Sequence, residues 1–371
     1  MSPAESDPAS TVNHLPSVDP EPDLAGGAMV ASSIDLGRRG KVCSAFKPAW
    51  WCRNPHQQTL WPIFARHRLK VNYLRQRLEL TDGDFLDLDW SDSVNHDRPI
   101  VLVLHGLEGS SQSHYIRGLC SALNQHEFRP CVMNFRGCSG ENNRLPRTYH
   151  AGETGDLDYV IRWLHLHNPD MPLFAVGYSL GANMLLKLLG QKDPEIPLAA
   201  AAAVSVPFEL SQCASRLEKG FSKIYQHWLI GSMKKTAIRK ADQHDTGLDI
   251  PALLKTRTFR EFDNLGTAPL HGFRDAEHYY STDSCRQHLP RITTPTLILQ
   301  AKDDPFMTQD LLPEEHELGP GVQLELSDKG GHTGFVEGHF PGLSRYWLEN
   351  RLVQFLTHAN STRAVRRSEN A

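Results

Sequence analysis

The sequence has no stretch that marks a membrane-spanning or exported protein. Its longest apolar run, residues 198–206, is mostly alanine and far shorter than the roughly 20 residues that a membrane-spanning helix needs. The first residues hold neither the basic region nor the apolar region of a secretory signal. We therefore expect a cytoplasmic protein without an integral membrane segment.

Cysteine spacing and net charge exclude further classes of protein. No two of the seven cysteines form a C-x-x-C pair, so the sequence indicates neither a disulfide framework nor a zinc cluster. The chain contains 39 Lys and Arg and 43 Asp and Glu, which gives a formal net charge of −4. A chain with no basic excess has no global field to hold nucleic acid. We predict reduced thiols, no metal site and no nucleic-acid partner.

Between two polar ends, apolar strand-like runs alternate with amphipathic helices. Residues 1–40 and 361–371 are polar and lack hydrophobic periodicity, so both ends are predicted to be flexible tails. The strand-like runs are residues 99–104, 129–135, 172–177, 198–206, 295–300 and 322–326. Helical periodicity occurs in residues 153–167, 180–189 and 344–356. This order predicts an α/β fold with a mostly parallel central sheet and helices on both faces.

Two segments depart from this rhythm. Residues 84–90 (DFLDLDW) alternate apolar and acidic side chains, which predicts a strand with one wet face, antiparallel and near a sheet edge. Residues 207–290 are polar, helical in pattern and too long for a plain loop. We predict that they form a helical cap inserted over the carboxyl edge of the sheet, within a single domain of residues 41–360.

The most informative motif is G-x-S-x-G at residues 177–181 (GYSLG), between a predicted strand and a predicted helix. A nucleophile elbow requires this context, because the turn is so tight that glycines must flank the serine. The helix N-terminus beside Ser179 favours the negative charge of an oxyanion. A chance match in a turn is the alternative, and the strand and helix on either side argue against it.

A nucleophilic serine needs a base and an orienting carboxylate, which in this architecture follow in the order acid and then histidine. Asp303 and Asp304 both come after the strand at residues 295–300. We prefer Asp304, and a helix cap is its alternative role. His332 stands between glycines after the last strand and is our predicted base, with His339 as the nearest rival.

An oxyanion hole needs two backbone N–H groups beside the serine. We predict that Leu180, directly after the nucleophile, supplies one of them. Leu107, in the loop at residues 105–110 (HGLEGS), is the expected second donor. His105 could be taken for a base, but we interpret it as a structural residue that holds this loop.

Taken together, these motifs resemble the YheT-like branch of the α/β-hydrolases. The motifs are residues 105–110, 134–140, 147–154, 177–181, 301–306 and 330–335. The resemblance extends over about residues 46–356. It implies an α/β-hydrolase fold with a helical cap, no cofactor, and carboxylesterase or monoacylglycerol-lipase-like activity on short or medium acyl chains. It also implies that Ser179, Asp304 and His332 form the catalytic triad.

Three further groups of residues allow two interpretations each. Arg144, Arg147 and Tyr149 could recognise an acidic substrate group, but an internal ion-pair network, such as Arg147 with Glu153, is favoured. A set of apolar residues in the insertion could line an acyl pocket or, as we favour, form the core of the cap: Tyr225, Trp228, Leu229 and Ile230. A basic set suggests a solvated face or a weak peripheral membrane contact: Lys234, Lys235, Arg239 and Lys240.

We predict a serine hydrolase whose substrate is a small-molecule acyl ester, cleaved through an acyl-enzyme. An acyltransferase or ester synthase that uses an alcohol in place of water would share every one of these residues. A non-catalytic binding protein with the same fold is a second alternative, and the complete set of serine, acid and histidine argues against it.

Overall fold

The computed structural model describes residues 39–91, 96–193 and 195–369. The predicted N-terminal tail therefore lies outside the described residues, except for its last two positions. In the described part of the chain, no helix is long and apolar enough to cross a bilayer.

A nine-stranded sheet forms the centre of the fold. Its strands are β1 (Gly40–Cys43), β2 (Leu74–Glu79), β3 (Phe85–Trp90), β4 (Ile100–Leu104), β5 (Arg129–Asn134), β6 (Leu173–Tyr178), β7 (Ala200–Val204), β8 (Thr296–Ala301) and β9 (Val322–Ser327). Their spatial order is β1-β9-β8-β7-β6-β4-β5-β3-β2. Only the pairings of β3 with β2 and β5 are antiparallel, which confirms the predicted mostly parallel sheet. A small antiparallel ribbon consists of β10 (Val336–Glu337) and β11 (Arg345–Tyr346).

Helices cover both faces of the sheet because the central strands are apolar on both sides. In β4, Leu102 and Leu104 pack in one core cluster with residues of α3 (Thr154–His167) and α4 (Leu180–Lys192). Val101 and Val103 point to the opposite face and pack with residues of α2 (His114–Gln125) and α11 (Trp347–Glu369). A continuous apolar run is therefore the signature of a strand buried on both faces.

The segment between β7 and β8 holds six α-helices. They are α5 (Leu210–Leu217), α6 (Ser222–Ala241), α7 (Ile250–Leu253), α8 (Phe259–Leu265), α9 (Thr267–His271) and α10 (Ala276–Asp283). Buried residues of this segment, among them Phe208, Tyr225 and Phe262, belong to the same core cluster as α3 and α4. We call this segment the cap, since it packs on that face of the sheet.

The prediction of a wet face on β3 is wrong. Asp87 and Asp89 are each 1% exposed, because arginine side chains of the neighbouring strand β2 cover this side of β3. Arg77 donates to Asp87 and Arg75 donates to Asp89, each from Nε at 2.8 Å. Both guanidinium groups bind their carboxylates through two nitrogens, which compensates for burial of the charges.

The C-terminal end also differs from its prediction. The polar sequence predicts a flexible tail from residue 361, whereas α11 continues as a helix to Glu369. Leu352, Val353, Phe355 and Leu356 bury the first half of this helix against the sheet. Helix formation is cooperative, so a polar end extends a helix that its first turns have already nucleated.

Candidate active site

Ser179 lies at a sharp turn between β6 and α4. Its backbone is at φ 51° and ψ −117°, a region that non-glycine residues adopt at a cost in energy. The Ser179 N–H donates to the carbonyl of Val204 at 2.9 Å, which ties the turn to β7.

Both glycines of the motif are required by close backbone contacts. A Cβ on Gly177 would lie 2.6 Å from the carbonyl oxygen of Gly181. A Cβ on Gly181 would lie 2.5 Å from the carbonyl oxygen of His105. The turn can therefore take this shape only with glycine at both positions, as the sequence analysis expects.

The structure brings together the three side chains that the sequence analysis selected. The distance from His332 Nε2 to Ser179 Oγ is 3.0 Å, and that from His332 Nδ1 to Asp304 Oδ2 is 2.8 Å. His332 is 8% exposed and Asp304 3% exposed. Asp304 also accepts a hydrogen bond on Oδ1 from the N–H of Phe306 at 2.8 Å. This arrangement can move a proton from Ser179 to an imidazole that a carboxylate orients.

The two rival residues occupy other places. Asp303 accepts a hydrogen bond from the Gly331 N–H at 3.0 Å, so it braces the loop that carries the histidine. Burial raises the pKa of Asp303. His339 is exposed, and its backbone carbonyl accepts a hydrogen bond from the indole of Trp50 at 2.8 Å.

Two residues that the sequence analysis missed hold the imidazole in place. Thr59, in α1 (Pro55–Ala65), accepts a hydrogen bond on Oγ1 from the His332 N–H at 2.9 Å. The ring of Phe306 stacks on the imidazole with centroids 3.9 Å apart and planes inclined by 2°. Phe306 lies within the motif at residues 301–306, but only the folded chain shows the contacts of Thr59 and Phe306 with His332.

The loop at residues 105–110 lies against Ser179. A Cβ on Gly106 would be 3.3 Å from the Ser179 Cβ, so the loop passes directly beside the serine. Leu107 and Leu180 line the same cavity as Ser179 and His332. Within the described residues, neither of their N–H groups donates to a protein acceptor, so both are available to an oxyanion.

His105 holds this loop through hydrogen bonds of its imidazole ring. Its Nε2 accepts from the Phe135 N–H at 3.1 Å, and its Nδ1 then donates to the carbonyl of Gly106 at 2.7 Å. Complete burial lowers the pKa of His105 to about 4, so the ring is neutral near pH 7. A neutral ring fits a structural role for this residue.

A second support of the loop was not foreseen. The hydroxyl of Tyr149 accepts from the Glu108 N–H at 2.8 Å and donates to Glu108 Oε1 at 3.0 Å. Glu108 Oε2 accepts from the hydroxyl of Thr236, in the cap helix α6, at 2.7 Å. Glu108 has a φ of 54°, so these bonds hold a strained residue next to Leu107. The three residues are far apart in sequence, and no local pattern joins them.

A cavity of about 170 Å³ opens above Ser179, between the sheet edge and the cap. Most of its wall is apolar, and the cap contributes Leu217, Leu229, Met233, Leu253 and Phe262. Of the four cap residues with two interpretations, Leu229 lines the cavity, whereas Tyr225 and Ile230 are buried and Trp228 is 52% exposed. Such a cavity suits an acyl chain.

Comparison with known proteins gives the family of this chain. The family model of the alpha/beta hydrolase fold matches residues 99–339. YheT of Escherichia coli, which is named as an esterase, is 44% identical over 317 residues, covering 84% of this chain and 93% of that protein. The chain belongs to the α/β-hydrolase family.

Other relatives of this α/β-hydrolase are named as lipases. Phospholipase ABHD3 of Bos taurus is 32% identical over 352 residues, covering 92% of this chain and 85% of that protein. Monoacylglycerol lipase of Saccharomyces cerevisiae is 31% identical over 268 residues, covering 70% of this chain and 59% of that protein. A solved Pyrococcus furiosus esterase shares the fold, with a TM-score of 0.52 and 16% sequence identity. The match covers 87% of this chain and 99% of that chain. The chain is therefore a hydrolase of the esterase and lipase type.

The arginines that could have bound substrate lie outside the cavity of the hydrolase. Arg144 pairs with Glu79, and Arg147 pairs with Glu153, as in the favoured alternative. Neither side chain lines the cavity, whereas Tyr149 does. The acidic-group hypothesis thus has no support from Arg144 or Arg147.

The basic set on α6 is not one solvated face. Lys235 and Arg239 are exposed, but Lys240 is only 3% exposed and donates from Nζ to the Asn143 carbonyl at 2.8 Å. Burial lowers the pKa of Lys240 to about 8. The prediction of a solvated Lys240 is therefore wrong, because this turn of α6 faces inward and Lys240 borders the cavity.

One buried acid also borders the cavity. Asp263 accepts hydrogen bonds from the hydroxyls of Tyr280 and Thr267, both at 2.6 Å. Burial raises the pKa of Asp263 to about 6. Among the described residues, no group of three or more His, Cys, Asp or Glu side chains is placed to hold a metal ion.

Proposed function

We propose that this hydrolase cleaves carboxylic esters with short or medium acyl chains, monoacylglycerols among them, through an acyl-enzyme on Ser179. The observation that carries the proposal is the 3.0 Å contact between Ser179 Oγ and His332 Nε2 at the base of an apolar cavity. The relatives named as an esterase, a phospholipase and a monoacylglycerol lipase support an acyl ester as the substrate.

In the proposed first step, His332 Nε2 removes the proton of the Ser179 hydroxyl as Oγ attacks the ester carbonyl. Asp304 Oδ2 accepts a hydrogen bond from the Nδ1–H of the imidazole, with Nδ1 and Oδ2 2.8 Å apart. This leaves Nε2 unprotonated, so that it can accept the proton of Ser179. The carboxylate then stabilises the imidazolium that forms. The stacked ring of Phe306 keeps the imidazole in the plane that this transfer needs.

The tetrahedral intermediate carries its negative charge on the former carbonyl oxygen. The N–H groups of Leu107 and Leu180 would donate to this oxygen, and the N-terminus of α4 adds a favourable field. The imidazolium returns its proton to the alkoxide of the leaving alcohol, and the ester C–O bond breaks. A water molecule then gives one proton to His332 and attacks the acyl carbonyl carbon. The bond from this carbon to Ser179 Oγ breaks, Oγ takes the proton back from His332, and the acid is released.

The acyl chain would occupy the part of the cavity that the cap supplies. Leu217, Leu229 and Met233 line this part, so a longer chain buries more apolar surface against them. We expect a Leu229→Trp substitution to reduce turnover of dodecanoyl esters more than that of acetyl esters. The same substitution at Leu254, which is 41% exposed and outside the cavity, is the matched control.

Covalent labelling with a fluorophosphonate probe tests the nucleophile. Wild-type protein should be labelled and Ser179→Ala should not, while circular dichroism shows both to be folded. Ser205 lines the same cavity, so Ser205→Ala is the matched control and should keep the label. Labelling that persists in folded Ser179→Ala would show that another residue is the nucleophile and would overturn the proposal.

The location of the hydrolase stays a prediction. All seven cysteines are free thiols, which supports a reducing compartment. We infer the cytoplasm, and fractionation of cells with an antibody to this chain would test it.

A further inference from the structure

One side of the molecule exposes large apolar side chains around a groove. The groove lies between α1, the start of α6 and residues 338–344, and its walls include Trp61, Phe64, Phe221 and Pro341. Large side chains at or beside the groove are strongly exposed: Trp50 65%, Phe64 67%, Phe221 46%, Phe340 63% and Leu343 73%. We call this surface, together with the exposed apolar residues of α6 that follow Phe221, the aromatic face.

On α6 the exposed apolar residues form a stripe. Phe221, just before the helix, and Ile224 and Trp228 within it are spaced by three and four positions, so they share one side of the helix. Ile224 is 39% and Trp228 52% exposed. Contiguous exposed apolar surface of this kind marks an interaction site.

Cations outnumber carboxylates around the aromatic face. Residues 50–70, 219–230 and 338–346 contain seven Lys and Arg but no Asp or Glu, although the whole chain has a net charge of −4. Glu218 and Glu337 flank these segments, and Arg66 forms an ion pair with Glu349. Arg53, Lys219 and Lys223 are exposed, and none of the three forms an ion pair with another described residue. The surface is thus both aromatic and basic, which is complementary to an anionic surface with an apolar interior.

The aromatic face adjoins the candidate active site. Ser222, at the start of α6, donates from Oγ to the Pro305 carbonyl at 2.8 Å. Tyr225 packs on Phe306 with ring centroids 5.1 Å apart, and Phe306 stacks on His332. On the other side of the groove, Thr59 of α1 binds the His332 N–H. Both helices that carry the face therefore contact the loops of Asp304 and His332.

We propose that the aromatic face docks the protein on an anionic lipid bilayer. Trp and Phe side chains enter the interface, while Lys and Arg pair with anionic headgroups. The purpose rests on the proposed function, since docking brings the cavity to the surface where lipid esters lie. A weak membrane contact was the alternative interpretation of Lys234, Lys235, Arg239 and Lys240, and the structure points instead to the opposite end of α6.

Sedimentation with lipid vesicles tests the proposal without reference to activity. Wild-type protein should pellet with vesicles of phosphatidylcholine and phosphatidylglycerol, and far less with pure phosphatidylcholine. The double variant Phe221→Ser and Trp228→Ser should lose most of this binding. Leu166→Ser is the matched control, because Leu166 is 75% exposed on α3, away from the face.

Charge reversal tests the electrostatic part. Lys219→Glu with Lys223→Glu should weaken binding to the anionic vesicles by at least about tenfold, since each cation near such a surface contributes about fivefold. Lys255→Glu, at an exposed lysine outside the three segments, should have a much smaller effect. Added salt should weaken wild-type binding in the same direction, because it screens these charges.

Several outcomes would overturn the docking proposal. Equal binding to both kinds of vesicle, no binding by the wild type, or unchanged binding by both sets of variants would each do so. A dimer without lipid that the same substitutions dissociate would identify the face as a contact between copies. Since these readouts need no catalysis, they are independent of Ser179, and the variants should hydrolyse soluble p-nitrophenyl esters as the wild type does.

Discussion

The adjacent carboxylates Asp303 and Asp304 provide a sharp test of the proposed mechanism. Asp304→Asn changes the carboxylate that contacts His332, and Asp303→Asn makes the same change one residue earlier. In Asp304→Asn the Phe306 N–H still needs an acceptor, so the amide oxygen takes the Oδ1 position. The amide NH2 then occupies the Oδ2 position, 2.8 Å from His332 Nδ1.

This geometry predicts inversion of the imidazole tautomer. An NH2 group cannot accept a proton, so Nδ1 must become the acceptor and the ring proton moves to Nε2. Nε2 can then no longer accept the proton of Ser179. Loss of the correct tautomer lowers kcat by about 10⁴-fold in serine hydrolases, or about 5 kcal/mol in activation free energy. We expect a loss of this size for Asp304→Asn.

The control variant should behave differently. In Asp303→Asn the amide oxygen can keep the hydrogen bond from the Gly331 N–H. Oδ2 of Asp303 is buried and has no hydrogen-bond partner among the described residues, so an NH2 there loses no hydrogen bond. Lys329 Nζ lies 3.8 Å away on a half-exposed side chain, and loss of this long ion pair costs at most about 1 kcal/mol. We expect kcat within about tenfold of wild type and a melting temperature lower by no more than a few degrees.

Steady-state kinetics on p-nitrophenyl butyrate and thermal unfolding of both variants would decide the matter. A loss of less than about tenfold for Asp304→Asn would refute the tautomer argument. A thousandfold loss for folded Asp303→Asn would show that Asp303, and not Asp304, is the orienting carboxylate.

Three further predictions concern the surroundings of the site. Tyr149→Phe should lower kcat about tenfold with KM unchanged, because the loop of Leu107 loses both hydrogen bonds to Glu108; Tyr159→Phe is the kinetic control. Gly181→Ala should destabilise the fold by about 3 kcal/mol in urea unfolding, because its Cβ would meet backbone. Because burial raises the pKa of Asp263 to about 6, its contribution to the free energy of unfolding is present below about pH 4 and is lost as the pH rises through about 6. Asp263→Asn should therefore gain about 1 to 3 kcal/mol over wild type at about pH 8 and little at about pH 4, and equal differences at both values would contradict this.

Local sequence was sufficient where a short motif has one structural solution. The apolar run at residues 99–104 predicted a strand buried on both faces, and the two glycines around Ser179 predicted a very tight turn. The choice of Asp304 and His332 after successive strands followed from the chain order of the nucleophile-elbow architecture, in which the acid comes before the histidine. These inferences depend on neighbours in sequence or on strand order, so they needed no coordinates.

Other features depend on partners distant in sequence. The acidic side of β3 looked wet because the arginines of β2 that bury it belong to a strand that the periodicity did not reveal. Lys240 looked solvated because a run of cations does not indicate which turn of α6 faces the cavity. The helical end of the chain was missed because its polar residues have no strong periodicity of their own.

The sequence by itself therefore determined the α/β fold, and it predicted the elbow at Ser179 with Asp304 and His332 as its partners. Only the tertiary structure decided what holds these residues: Thr59 and Phe306 on the imidazole, and Tyr149 and Glu108 on the loop of Leu107. It also gathered separate basic and aromatic segments into one exposed face. The physical reason is that motifs record backbone constraints within a few residues, whereas support and surface arise from side chains that only folding brings within contact distance.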